Sequence, residues 1–132
     1  MGAEPWSSFT KFDANLQRAL DNLRREVFAL GAYRYAEENP SSIEEALEIA
    51  DADGTASILD IQQVSDEPDF CCAAPFSVDQ LKTYFGSDHP TRADIEASED
   101  YWEELERGQA RYAVAYADGK PAEIYFAGYS FD

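Results

Sequence analysis

The stretch "ARYAVAYADGKPAEIYFAGYSF", residues 110–131, alternates on both sides of Asp118-Gly119. An Asp-Gly pair accepts the positive φ angles of a two-residue hairpin loop, so the stretch reads as a C-terminal β-hairpin. Tyr112, Val114 and Tyr116 share one face of its first strand. On the second, Ile124 and Phe126 point one way, and Tyr125 and Ala127 the other. Pro121 has no N–H to give a ladder, which starts its strand at a sheet edge.

Upstream of the hairpin, Thr91 caps an expected helix over 92–107 that Gly108 stops, with Ile95, Trp102 and Leu105 inward and Tyr101 at the margin. Ser77 and Gln80 have capping-box spacing and open a helix to Phe85, ended by Gly86. "FCCAAPF", residues 70–76, reads as a short buried strand in which the cysteines serve as small apolar residues. "VSDEPDF", residues 64–70, is an acidic turn forced by Pro68.

"EIADADGTASILDI", residues 48–61, resembles a calcium loop at first sight. With Gly54 at the sixth position of such a loop, the first ligand would be Ile49, which has no oxygen, and the twelfth would be Asp60 instead of a bidentate glutamate. The alternative is a helix from a Ser42/Glu45 cap, with Ile43, Ala46, Leu47 and Ala50 buried. Gly54 then supplies its left-handed end and Thr55–Ile61 forms a strand. Asp51 and Asp53 sit unfavourably at the negative end of that helix, which leaves a contact role open for them.

The strongest helical pattern lies at 14–30, where Leu16, Leu20, Leu23, Val27 and Leu30 make one stripe behind an Asp13 cap and before Gly31. "WSSFTKF", residues 6–12, reads as a short strand. The order β, α, α, β, β, α, α, β, β implies a single α+β domain over 1–132. Its expected form is a mostly antiparallel sheet with about four helices packed on it.

A chain of 132 residues with 45% hydrophobic and 14% aromatic content builds one core without disulfide or metal staples. No apolar run approaches a membrane span, and "MGAEPWSSFTKF" lacks the basic start and apolar run of a secretory leader. The two cysteines are adjacent and too few for a disulfide framework, which suits a reducing cytoplasm.

The net charge is −17, and it is unevenly placed. Residues 1–36 carry +1, residues 37–106 carry −18 with only Lys82 and Arg92 as cations, and residues 107–132 carry 0. Such a charge disfavours nucleic acid and anionic membranes and favours a basic protein partner. Acids also serve solubility alone. Salt adaptation would spread them over the whole surface, whereas here both ends of the chain are neutral.

Catalytic signatures are absent: there is no CxxC, HExxH, phosphate-cradling glycine loop or GxSxG. The single histidine, His89, lies in the loop "SDHPT" without an identifiable partner set, and Cys71 falls in an apolar strand that disfavours a thiolate. No cofactor and no metal is expected. What remains is recognition by an acidic surface: Asp66, Glu67 and Asp69 on the turn, and Glu96, Glu99, Asp100, Tyr101, Glu103 and Glu104 on the helix. Such a surface speeds docking to a basic partner and can imitate a phosphate backbone.

The segments "SIEEALEIADADGTASILDI", "SDEPDF" and "DGKPAEIYFAGYSFD" resemble a group of small acidic bacterial proteins to which no activity attaches. In size, acidity and build such proteins resemble the immunity proteins of bacterial toxin systems, which cover the active site of a cognate toxin. That likeness of type transfers no functional residue. It implies a non-catalytic inhibitor that occludes a basic site. The alternative is a small-molecule-binding or enzymatic domain, with a pocket between sheet and helices lined by Tyr112, Tyr116, Tyr125 and Tyr129.

Overall fold

A computed structural model describes residues 3–132. Strands β1 (Pro5–Lys11), β2 (Gln63–Val64), β3 (Cys72–Pro75), β4 (Ala110–Ala117) and β5 (Lys120–Tyr129) form one sheet in the order β1-β5-β4-β3-β2. The β1–β5 and β4–β5 pairs are antiparallel, while β2–β3 and β3–β4 are parallel and short. Helices α1 (Leu16–Leu30), α2 (Ile43–Ala50), α3 (Val78–Phe85) and α4 (Arg92–Glu96) complete a single α+β domain with a mostly antiparallel sheet.

The alternation in β5 divides the interior in two. Ile124 and Phe126 pack with Trp6, Leu20, Leu23, Ile58 and Leu59 under α1 and α2. Tyr125 and Ala127 pack with Phe76, Phe85, Ile95 and Tyr101 under α3 and α4. Each fully buried aliphatic side chain contributes roughly 1.5–3 kcal/mol. Leu20, Ile58, Leu59 and Ile61, all with 0% exposure, therefore anchor the first side.

The hairpin turns as expected, with φ of 52° at Asp118 and 76° at Gly119. Although β5 lies inside the sheet, β1 reaches only as far as Glu123, so at Pro121 the strand is locally an edge. Gly31 (φ 68°) ends α1 in the left-handed conformation, and Ser77–Gln80 forms the capping box at α3. The cap of α1, however, is Asn15, which accepts from the Arg18 N–H at 3.0 Å. Asp13 instead pairs with the Arg18 guanidinium at 2.6 and 2.9 Å.

Two expected elements are different. Thr55–Ile61 is no strand: it turns through a 3₁₀ segment, Ile58–Asp60. Ser57 Oγ accepts from the Leu59 N–H, and Asp60 Oδ1 accepts from both the N–H and the hydroxyl of Thr55. These local bonds give the backbone an alternative to a ladder. Helix α2 correspondingly ends at Ala50 before Asp51 (φ 47°), and Gly54 follows one turn later at φ 75°, ψ 169°.

The second difference is the expected 92–107 helix, which breaks into α4 and a 3₁₀ segment, Asp100–Glu104. In an unbroken helix, Ile95 and Trp102 would share a face and Tyr101 would sit about 120° away. The break turns Tyr101 inward at 3% exposure and leaves Trp102 half-buried.

Candidate interaction surface

The segment 92–105 is an acidic cover held down by three buried side chains, Ile95, Tyr101 and Leu105. Thr91 starts it with a full capping box, accepting from the Asp94 N–H while Asp94 accepts from the Thr91 N–H. Glu96, Glu99, Asp100 and Glu103 are exposed. Glu96 pairs with Arg92 at 3.6 Å, and Arg92 also reaches Glu123 at 2.8 Å while lying 4.1 Å from the centre of the Phe9 ring. Among the described residues Glu99, Asp100 and Glu103 make no ion pair.

Two of the expected contact residues are held internally. Tyr101 is a core residue whose hydroxyl shares a short hydrogen bond with that of Tyr125. Burial, then that bond, pushes its phenol far above the ordinary value. Glu104 accepts from the Tyr84 hydroxyl at 2.6 Å and from the Gln80 amide at 3.1 Å, tying the 3₁₀ segment to α3. Donation to that carboxylate pushes Tyr84 up to about 12. Asp66, Glu67 and Asp69 are exposed on the turn after β2. That turn lies at the opposite sheet edge from β1, four strand spacings or roughly 19 Å away.

The acidic stretch of sequence is therefore not one patch. Glu44, Glu45 and Glu48 of α2 are exposed on one side of the sheet, and Glu96, Glu99, Asp100 and Glu103 on the other. Two open hollows flank Glu99. One, of about 420 Å³, lies between the β1 edge and α4, bounded by Ser7, Phe9, Arg92, Glu96 and Trp102. The other, of about 440 Å³, is bounded by Tyr84, Asp94 and Asp100.

The four tyrosines considered for a single pocket are separated. Tyr112 packs on the α1 side, Tyr125 and Tyr129 on the α3 side. Tyr116 lies against the exposed His89 ring at 4.5 Å. Cys71 and Cys72 are free thiols, and burial pushes that of Cys71 up. Asp51 is exposed, Asp53 accepts from the Tyr35 hydroxyl at 2.5 Å, and no group of three or more possible ligands gathers among the described residues. No described helix is long and apolar enough to cross a membrane.

Sequence reasoning missed a buried polar knot of Thr55, Ser57 and Asp60. Asp60 is 1% exposed, and its Oδ2 has no hydrogen-bond partner. Burial raises its carboxyl above the ordinary value despite the Thr55 bonds. The only signal was an aspartate inside the apolar run "ILDI", residues 58–61. Arg34 closes the same region, donating to the carbonyls of Asp53 at 2.9 Å and Asp132 at 3.2 Å.

No family model, no curated protein and no solved structure matches this chain.

Proposed function

We propose that the chain is a non-catalytic protein-binding domain that uses its acidic cover to occlude a basic site on a partner. In this reading the chain acts as an immunity-type inhibitor and the partner is a toxin with a basic site. The observation that carries the reading is the set of four exposed carboxylates, Glu96, Glu99, Asp100 and Glu103, on a segment pinned by Ile95, Tyr101 and Leu105. A segment whose backbone is already anchored has less chain to order on docking than a loose one. The charge of the carboxylates also raises the encounter rate with a cationic surface, an effect that salt weakens. A reducing cytoplasm suits the two free thiols.

The test is a pull-down with the native chain at low salt, eluted by rising salt, beside the variant Glu96→Lys/Glu99→Lys/Asp100→Lys/Glu103→Lys. Glu104 is left intact because it braces the 3₁₀ segment from within. A stoichiometric basic protein held by the native chain and lost by the folded variant supports the reading. Equal retention by both removes it.

A further inference from the structure

The second feature at the 420 Å³ hollow is its wall, the unpaired edge of β1. Antiparallel partners alternate between residues that exchange both backbone hydrogen bonds and residues that face away. Ser130 N–H donates to the Glu4 carbonyl, and Phe12 N–H to the Ala122 carbonyl. The even residues of β1 are thus bonded to β5, and the N–H and C=O groups of Ser7, Phe9 and Lys11 point outward. Among the described residues no segment pairs with them. Pro5 and Lys11 guard the two ends of this edge against strand addition, but Ser7–Phe9 between them carries no charge, proline or bulge.

We propose that this edge takes an extended, basic segment of a partner protein as a sixth strand. The proposal rests on the reading of the chain as a binder of a basic partner. Backbone groups of Ser7, Phe9 and Lys11 supply the ladder, as in other strand additions. Residues of β1 with odd numbers face α4, so alternate side chains of the added strand enter the hollow beside Glu96, Glu99 and Trp102. A lysine or arginine there meets the unpaired Glu99 carboxylate and the Trp102 ring, which attracts a cation over its face. Arg92 does not cancel this charge, because Glu96 and Glu123 already pair with it. A second copy of this chain is a poor occupant: each carries −17.

The probe is the acetylated, amidated octapeptide of four lysine-valine repeats, titrated into ¹⁵N-labelled protein at low salt. Amide shifts should concentrate at Ser7, Phe9, Lys11 and Glu99. Ser7→Pro, which deletes an outward N–H and spares the β5 ladder, should weaken binding about tenfold, the order of one lost hydrogen bond with its partner left unpaired. If that variant misfolds, the same peptide N-methylated at alternate nitrogens reads the same ladder from the other side and should also fail to bind. Shifts elsewhere, indifference to either change, or equal binding of a glutamate-valine octapeptide would overturn the proposal. So would concentration-dependent dimerisation blocked by Ser7→Pro. Asp100→Lys/Glu103→Lys lies outside the hollow. Loss of the pull-down partner by that variant, with Ser7→Pro still binding the partner, keeps the acidic-cover reading and rejects the edge. The reverse keeps the edge and rejects the cover.

Discussion

The two sides of the sheet are built by opposite means. On one side a fifteen-residue helix, α1, buries Leu20, Leu23 and Val27 against the sheet, while Leu30, expected to continue that stripe, is 74% exposed. On the other, α3, α4 and a 3₁₀ turn are short, and aromatic rings fill the space: Phe76 meets Phe85 and Tyr101 edge-on, at 5.5 and 5.8 Å. A long helix closes its own backbone hydrogen bonds. Short segments depend on caps and side-chain ties, here Thr91–Asp94 and Glu104–Tyr84. The acidic, exposed cover is thus on the side with less intrinsic regularity.

The most severe way to break the comparison is at α1. Leu20→Ala removes a side chain with 0% exposure, and a loss of about 2–5 kcal/mol is expected by urea denaturation. Hydrogen exchange sharpens it next. Amides of Leu20–Val27 should exchange only on global unfolding, and those of 97–104 about a hundredfold faster through local opening. Uniform protection would show that the two sides are one cooperative unit. Tyr101→Phe and Tyr125→Phe should each cost about 1 kcal/mol, because each strands a buried hydroxyl, and the double variant should cost less than the sum. Additive losses would mean that the two hydroxyls do not act as a pair.

The first side has its own weak point, Asp60. Its raised carboxyl pKa means that the folded state holds the proton more tightly than the unfolded chain does. The stability tied to this group is present below the ordinary carboxylate range near 3.9 and is lost as pH climbs through the raised value. The stability of the native protein minus that of Asp60→Asn should therefore fall as pH rises above the ordinary carboxylate range; a level or rising difference refutes the assignment. The smallest effect is expected for Glu103→Lys. This exposed charge change should shift stability by less than about 0.5 kcal/mol, upward if anything in so acidic a chain.

The contrast also explains what could be read in advance. The hairpin, α1 and the caps at Ser77 and Thr91 depend on local chemistry, and local chemistry is legible. The 55–61 segment misled because an apolar run has the same composition whether it extends or coils. The bonds between Thr55 and Asp60 decide, and they hold only because the surrounding fold buries both residues, which composition does not show. The 92–97 start of the acidic segment was legible from Thr91, but its break was not. Two adjacent aromatics, Tyr101 and Trp102, competed for the inward position, and the Tyr125 hydroxyl on the same side of β5 bonds to Tyr101. Of the surface, the exposed acids Glu96, Glu99, Asp100 and Glu103 could be named from sequence, while Glu104 and Tyr101 could not be told from them. Nor could the β1 edge, which exists only once the strand order is known.

That strand order has a consequence for synthesis. β5, the strand that joins β1 to the rest of the sheet, is made last, and Lys11 must wait for Glu123. At ribosomal speeds of roughly 5–20 residues per second, the interval is on the order of 6 to 22 s. Throughout that time Trp6 and the α1 stripe have no β5 to cover them. The nascent chain in between carries most of its negative charge, and mutual repulsion between neighbouring chains on one message would keep those uncovered surfaces apart.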